Sequence, residues 1–206
     1  MKLLDLMAAS VTPLVAWARA GFSDPGSGSG TGSSASVASG DEGMMLEEIR
    51  NHAVSTLCRA IIEADEGLFF SPQACLQCFN TLVFAMVDDL LEKATEKKFM
   101  EGTVEMAMEV LVEVFLRLVE RMGTVSGFRT FWLGVLRRLD TGMKADVGGG
   151  SVREMIPGLL RKMIVDMMEK GILVERDGDE LWDITNIQIQ WIAPSLKEEL
   201  FPEDEF

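Results

Sequence analysis

Along residues 46–64, apolar side chains fall at Leu46, Ile49, Ala53, Leu57, Ala60 and Ile61. Steps of three or four put them on one stripe of a helix, and the pattern predicts an amphipathic helix. Ser71-Pro72 is a start signal, because Ser can accept from free amides and Pro suits the first turn. The following helix is predicted to reach about residue 96 through Leu76, Phe79, Leu82, Val83, Met86, Leu90 and Leu91. Residues 100–122 repeat the pattern, residues 123–127 break it at both glycines, and residues 128–144 resume it. After Gly148-Gly149-Gly150, Ser151 and Glu154 have capping-box form, with Pro157 offering a later start. That helix runs to Lys170, and Gly171 stops it.

The periodicity then changes. Residues 172–176 and 180–185 flank Asp177-Gly178-Asp179, which reads as a β-hairpin. A final helical stretch over residues 186–201 is interrupted near Pro194, where Ser195 and Glu198 again have capping-box form. The predicted fold is all-α: an irregular antiparallel helical-hairpin repeat of TPR or HEAT type, closed by a small C-terminal β-hairpin. Its repeat domain covers residues 44–206.

The chain's first part reads differently. Gly and Ser supply twelve of residues 24–43, so that stretch is assigned to a flexible linker. It lacks the strand and Gly-Lys-Ser/Thr ending of a phosphate-binding loop. In residues 1–23, Leu3, Leu6, Met7, Val11, Leu14, Val15 and Trp17 mark an amphipathic helix. Asp5 and Pro13 interrupt what a secretory signal would need as its apolar centre.

Composition narrows the possibilities. The 206 residues carry a formal charge of -14, which argues against nucleic-acid binding through phosphate neutralisation. The longest uninterrupted apolar run, residues 82–87, is far short of a membrane span of roughly 20 residues. Three Cys do not make a disulfide framework, so a reducing, cytoplasmic setting is expected.

Candidate chemistry is thin. Cys75 and Cys78 form a C-x-x-C pair, but without the strand of a redox motif or the four ligands of a zinc site, for which Cys58 and His52 are the only other candidates; the pair reads as two half-buried helical thiols. Glu101, Glu105, Glu109 and Glu113, continued by Arg117 and Arg121, form an i, i+4 row read as a solvated face. His52, the one histidine, has no identifiable nucleophile or orienting carboxylate. The 14 Met residues read as core filling. The local charge balance says more. Arg129, Arg137, Arg138, Lys144, Arg153, Arg161 and Lys162 make residues 129–162 net positive on an acidic chain. They form a candidate patch for anionic headgroups or an acidic partner.

Several ordered motifs are distinctive together: Phe131-Trp132-Leu133-Gly134-Val135-Leu136-Arg137-Arg138, Leu181-Trp182, Ile192-Ala193-Pro194-Ser195-Leu196 and Leu200-Phe201-Pro202. Arg50-Asn51-His52-Ala53, Gln77-Cys78-Phe79, Val87-Asp88-Asp89-Leu90-Leu91 and Met100-Glu101-Gly102-Thr103 precede them in order. The chain resembles the C-terminal helical region of the large Golgi-type (GBF/GNOM-like) guanine-nucleotide exchange factors for ARF GTPases. In that family exchange is performed by a separate upstream domain, so the resemblance carries over no catalytic residue and no cofactor. It implies a non-enzymatic scaffold, cytoplasmic and peripheral to Golgi membranes, with exchange-factor regions or Golgi regulators as protein partners. The alternatives are a fragment of a complete exchange factor and a Cys-based metal or redox protein. Gly142 and Gly148–Gly150 depart from the family's bulkier or charged residues.

Overall fold

The computed structural model describes residues 38–94, 100–145, 149–176 and 178–201. The predicted N-terminal amphipathic helix and most of the Gly/Ser stretch lie outside the described residues. Seven helices follow: α1 (Ala38–Leu68), α2 (Pro72–Ala94), α3 (Glu101–Met122), α4 (Phe128–Lys144), α5 (Ser151–Glu169), α6 (Glu180–Ile192) and α7 (Pro194–Leu200). The helices form two rows. One row is α1–α3–α5 and the other α2–α4–α6, with α2 packed on α3, α4 on α5, and α7 beside α6. This is the helical repeat that the spacing of apolar positions predicts.

Ser71 and Pro72 start α2 as read: the Ser71 hydroxyl accepts from the Ala74 N–H at 3.3 Å, and Pro72 occupies the first turn. Within α2, residues Phe79–Val83 form a π-turn in which the Phe84 N–H donates to the Phe79 carbonyl. The wider turn brings residues five apart onto one side. Phe79 and Phe84 therefore both meet Phe131 of α4, at ring-centroid distances of 5.0 and 5.5 Å. Phe115 of α3 lies 5.4 Å from Trp132 and 6.2 Å from Phe131. Burying each of these rings contributes about 2–3 kcal/mol. By length and composition α2 could cross a membrane. Its place in the fold is in the core, where Phe79, Val83, Val87, Leu90 and Leu91 are buried.

The predicted C-terminal β-hairpin does not form, and there is no strand among the described residues. Gly171, at φ 65°, closes α5, with the Ile172 N–H donating back to the Met167 carbonyl at 2.9 Å. The Asp-Gly-Asp signal is a helix cap. The Asp179 carboxylate accepts from the N–H groups of Leu181 and Trp182, at 2.9 and 3.3 Å, and opens α6. Over so few residues, alternation and helical spacing look alike. The buried set Thr185, Ile189 and Ile192 settles it at steps of four and three.

Two capping boxes are also corrected. Gly150, in the left-handed region at φ 93°, is the residue before α5, and Ser151 points elsewhere. Pro157 lies inside α5 and does not start it; the carbonyl it leaves free belongs to Arg153, whose side of the helix is exposed. At the last break, Ala193 precedes Pro194 with no side-chain cap from Ser195.

Candidate interaction surface

The i, i+4 row on α3 is solvated in its middle, where Glu109, Glu113 and Arg117 are exposed. Its two ends, Glu101 with Glu105 and Arg121, grip both neighbours of α3 in its row. Glu101 accepts from the Gly149 and Ser151 N–H groups at 2.8 and 3.1 Å, and from the Ser151 hydroxyl at 2.5 Å. Glu105 lies against the same hydroxyl, whose single proton is shared between the two carboxylates. The Ser151 hydroxyl first, then these amides, hold the Glu101 carboxyl below its ordinary range. The same device recurs one step earlier, where Glu47 of α1 accepts from the Gly102 N–H at the start of α3 at 3.1 Å. The beginnings of α3 and α5 thus each receive a carboxylate from the preceding helix of the row.

At the row's other end, Asp65 of α1 is buried and receives Arg121 at 2.6 Å, Arg117 at 3.7 Å and the Phe70 N–H at 3.1 Å. Burial pushes the Asp65 carboxyl upward, but the Arg121 and Phe70 hydrogen bonds and both arginine charges outweigh it. The net shift is downward. Arg121 also donates to the Phe70 carbonyl at 3.1 Å and stacks at 4.6 Å from the centroid of Phe69. Phe69 sits at φ 49°, unusual for a residue with a side chain, and these bonds hold the turn.

The thiols touch this network only as weak donors, Cys58 to Glu113 and Cys75 to the Phe70 carbonyl. Cys58, Cys75 and Cys78 are buried and free, more deeply than the expected half-burial. Burial first, and then the Glu113 carboxylate to which Cys58 donates at 3.6 Å, pushes the Cys58 thiol up to about 12. Burial does the same to Cys78. Such thiols are poor nucleophiles and poor ligands at neutral pH. Three or more His, Cys, Asp or Glu do not converge on a metal-sized site among the described residues.

The seven basic residues divide by environment. Arg129 pairs with Glu180, Lys144 with Asp140 at 2.6 Å, and Arg161 with Glu199 at 2.7 Å. Arg138 is the most enclosed: it pairs with Asp88 of α2 at 2.5 Å and lies 3.7 Å from the centre of the Phe84 ring. Arg153 donates to the Met143 carbonyl at 3.1 Å. Arg137 and Lys162 are exposed, without an ion-pair partner among the described residues. On α4, Arg129, Arg137 and Lys144 fall eight and seven residues apart and share a stripe, whereas Arg138 is turned toward α2. Arg161 and Lys162 line a shallow groove between α3 and α5 with Leu116 and Glu169. The Asp140–Lys144 pair follows from i, i+4 spacing, whereas spacing could not reveal the pairs with Asp88, Glu180 and Glu199, which lie on other helices.

Two rows of amphipathic helices define a tetratricopeptide-like repeat module. Residues 44–196 match the family described as GBF1-like, tetratrico peptide repeat region, and the chain belongs to that family. It is 42% identical to the Arabidopsis thaliana ARF guanine-nucleotide exchange factor GNL2, aligned over all of this chain and 18% of that relative. It is 37% and 35% identical to GNOM and GNL1 of the same plant, over 77% of this chain and 12% of each. The chain therefore spans less than a fifth of these relatives. The GNL2 alignment runs over 243 positions, more than the chain's 206 residues, so that relative has segments without a counterpart here. No solved structure matches.

Proposed function

We propose that the chain is a non-catalytic helical scaffold of a GBF/GNOM-type ARF exchange factor, presenting protein partners and a membrane contact at the Golgi in vesicle traffic. One observation carries this reading. The family match at residues 44–196 coincides with the two-row helical stack, in which Glu47, Glu101 and the buried Asp65 are engaged in joining helices. A repeat stack supplies extended surface, not a reaction centre. Arg137 and Lys162, exposed and without an ion-pair partner among the described residues, are the residues best able to meet anionic headgroups; Arg129, Lys144, Arg153 and Arg161 are exposed as well but already engaged.

Two measurements test it. Release of labelled GDP from an ARF GTPase is expected to proceed at its intrinsic rate when the chain is added; acceleration would overturn the scaffold reading. Sedimentation with vesicles is expected to require anionic lipid, weaken with salt, and fall in the Arg137→Glu/Lys162→Glu double variant. Binding indifferent to lipid charge and salt would sink the membrane contact while leaving the scaffold intact.

A further inference from the structure

In the row α1–α3–α5, a helix is covered by the one that precedes it in the chain: α2 packs on α3, and α4 on α5. The predecessor of α1 lies outside the described residues, among which the main contact of α1 is α3. Glu47 and Glu101 do the same task one helix apart in the row and so put α1 and α3 in register. In that register Leu46 corresponds to Met100, Ala53 to Ala107 and Ala60 to Val114. Met100, Ala107 and Val114 are 1% exposed or less, whereas Leu46 is 38% exposed and Ala53 and Ala60 are only half-buried. Ile49 is half-buried on the same flank, and Met45 at its edge is 64% exposed. Steps of three, four and seven from Leu46 to Ala60 keep these residues on one side, roughly a quarter turn from the buried Val54, Leu57 and Ile61. α1 thus leaves part-open an apolar flank that α3, with its predecessor in place, has closed.

We infer that residues 1–23 of the same chain dock on this flank of α1, in the place that α2 takes on α3. Chain order, reach and charge select this occupant. In both covered cases the covering helix is the one immediately before in the chain. Before α1, the stretch with apolar positions at helical spacing is residues 1–23, where Leu3, Met7, Leu14 and Trp17 follow one another at steps of four, seven and three. Residues 24–37 between them reach up to about 45 Å when extended, ample for the chain to turn back along α1. Such a tether holds the segment at a local concentration on the order of a millimolar, which an unlinked apolar segment would have to exceed. The charges agree in sign. α1 carries seven acidic residues against Arg50 and Arg59, whereas residues 1–23 carry Lys2 and Arg19 against Asp5 alone.

Hydrogen exchange of the full chain tests this, independently of the exchange-factor reading. Amides of residues 3–17 should exchange at least about tenfold more slowly than in an unfolded chain, whatever the protein concentration. Leu14→Asp/Trp17→Asp should remove that protection and speed exchange in residues 46–60 about tenfold, with α3 and α4 still protected. The reciprocal variant, Ala53→Glu/Ala60→Glu, should free residues 3–17 although their own sequence is untouched, with α3 protection showing that the fold persists. Unprotected residues 3–17 in the wild-type chain overturn the inference. So does protection that survives Ala53→Glu/Ala60→Glu, which places the segment elsewhere, or that grows with concentration, which places it on a second copy. Should the Ala53→Glu/Ala60→Glu variant unfold α3, residues 46–60 decide: no response there to Leu14→Asp/Trp17→Asp overturns the inference, and faster exchange upholds it.

Discussion

The middle of the stack and its C-terminal end are made of the same kind of helix, but they are held differently. In α3, twelve of 22 residues are buried, and charged groups bind it to α1 and α5 along its length. In α6, three of 13 are buried, and the closest ties are one interior hydrogen bond from Trp132 and an exposed pair between Arg129 and Glu180. Trp182 and Phe201, 4.6 Å apart, clamp α7 to α6. A helix with neighbours on both sides of its row gains apolar burial twice; a terminal helix gains it once. Stability is therefore expected to fall from α3 toward α7, as nearest-neighbour coupling in repeat proteins requires.

The largest test of this contrast is Phe131→Ala. Phe131 touches rings from α2, α3 and its own helix, so its loss should cost about 4 kcal/mol and lower the melting of the whole chain. A denaturant titration reads this, and a change confined to the C-terminal helices would break the comparison. Next comes Asp65→Ala, which strands Arg121 and the Phe70 N–H and should cost about 3 kcal/mol. Because the folded Asp65 carboxyl titrates below its ordinary 3.8, its contribution is fully present above that value. It is lost as pH falls through the folded pKa, so the wild-type chain should weaken below about pH 4 more steeply than Asp65→Ala.

Thr185→Val removes the acceptor of the Trp132 N–H and should cost about 2 kcal/mol. Hydrogen exchange should show the loss first in α6 and α7, with α3 protection nearly unchanged; uniform loss would mean the end is as tightly coupled as the middle. The smallest effect concerns Gly142 of α4. A methyl group there would meet Met108 Cε at 2.8 Å and Ile156 Cδ1 at 2.9 Å, both ends of flexible side chains. Gly142→Ala should thus balance gained helix propensity against crowding, within about 1 kcal/mol, whereas Gly142→Leu should cost about 2 kcal/mol or more in thermal melts.

How much of this was legible in the sequence follows from the range of each signal. Helix positions depend on local periodicity, and the spans around Pro72, Met122, Phe128 and Lys144 are within a residue or two of prediction. The signal after Gly171 was misread because Asp177-Gly178-Asp179 serves a hairpin or a helix cap equally well. The choice lay in Thr185 reaching Trp132, 53 residues away. Ser151 was misread for a related reason: its partners are carboxylates on α3, which local spacing does not place. The basic residues were found, but their ion pairs with Asp88, Glu180 and Glu199 required the fold. Glu47 and Glu101 carried no signal of their roles beyond being acidic, since a cap supplied from another helix has no fixed sequence offset.

Those two glutamates bear on how such an array can change its length. Glu47 serves the beginning of α3, and Glu101, at the beginning of α3, serves that of α5. Duplicating or deleting a helical hairpin inside the row would keep the stack legible only if the new junction again set a carboxylate against free amides. The unit of inheritance is therefore not the hairpin alone but the hairpin together with the acidic residue of its predecessor, which makes insertion at the ends of the array easier than in its interior.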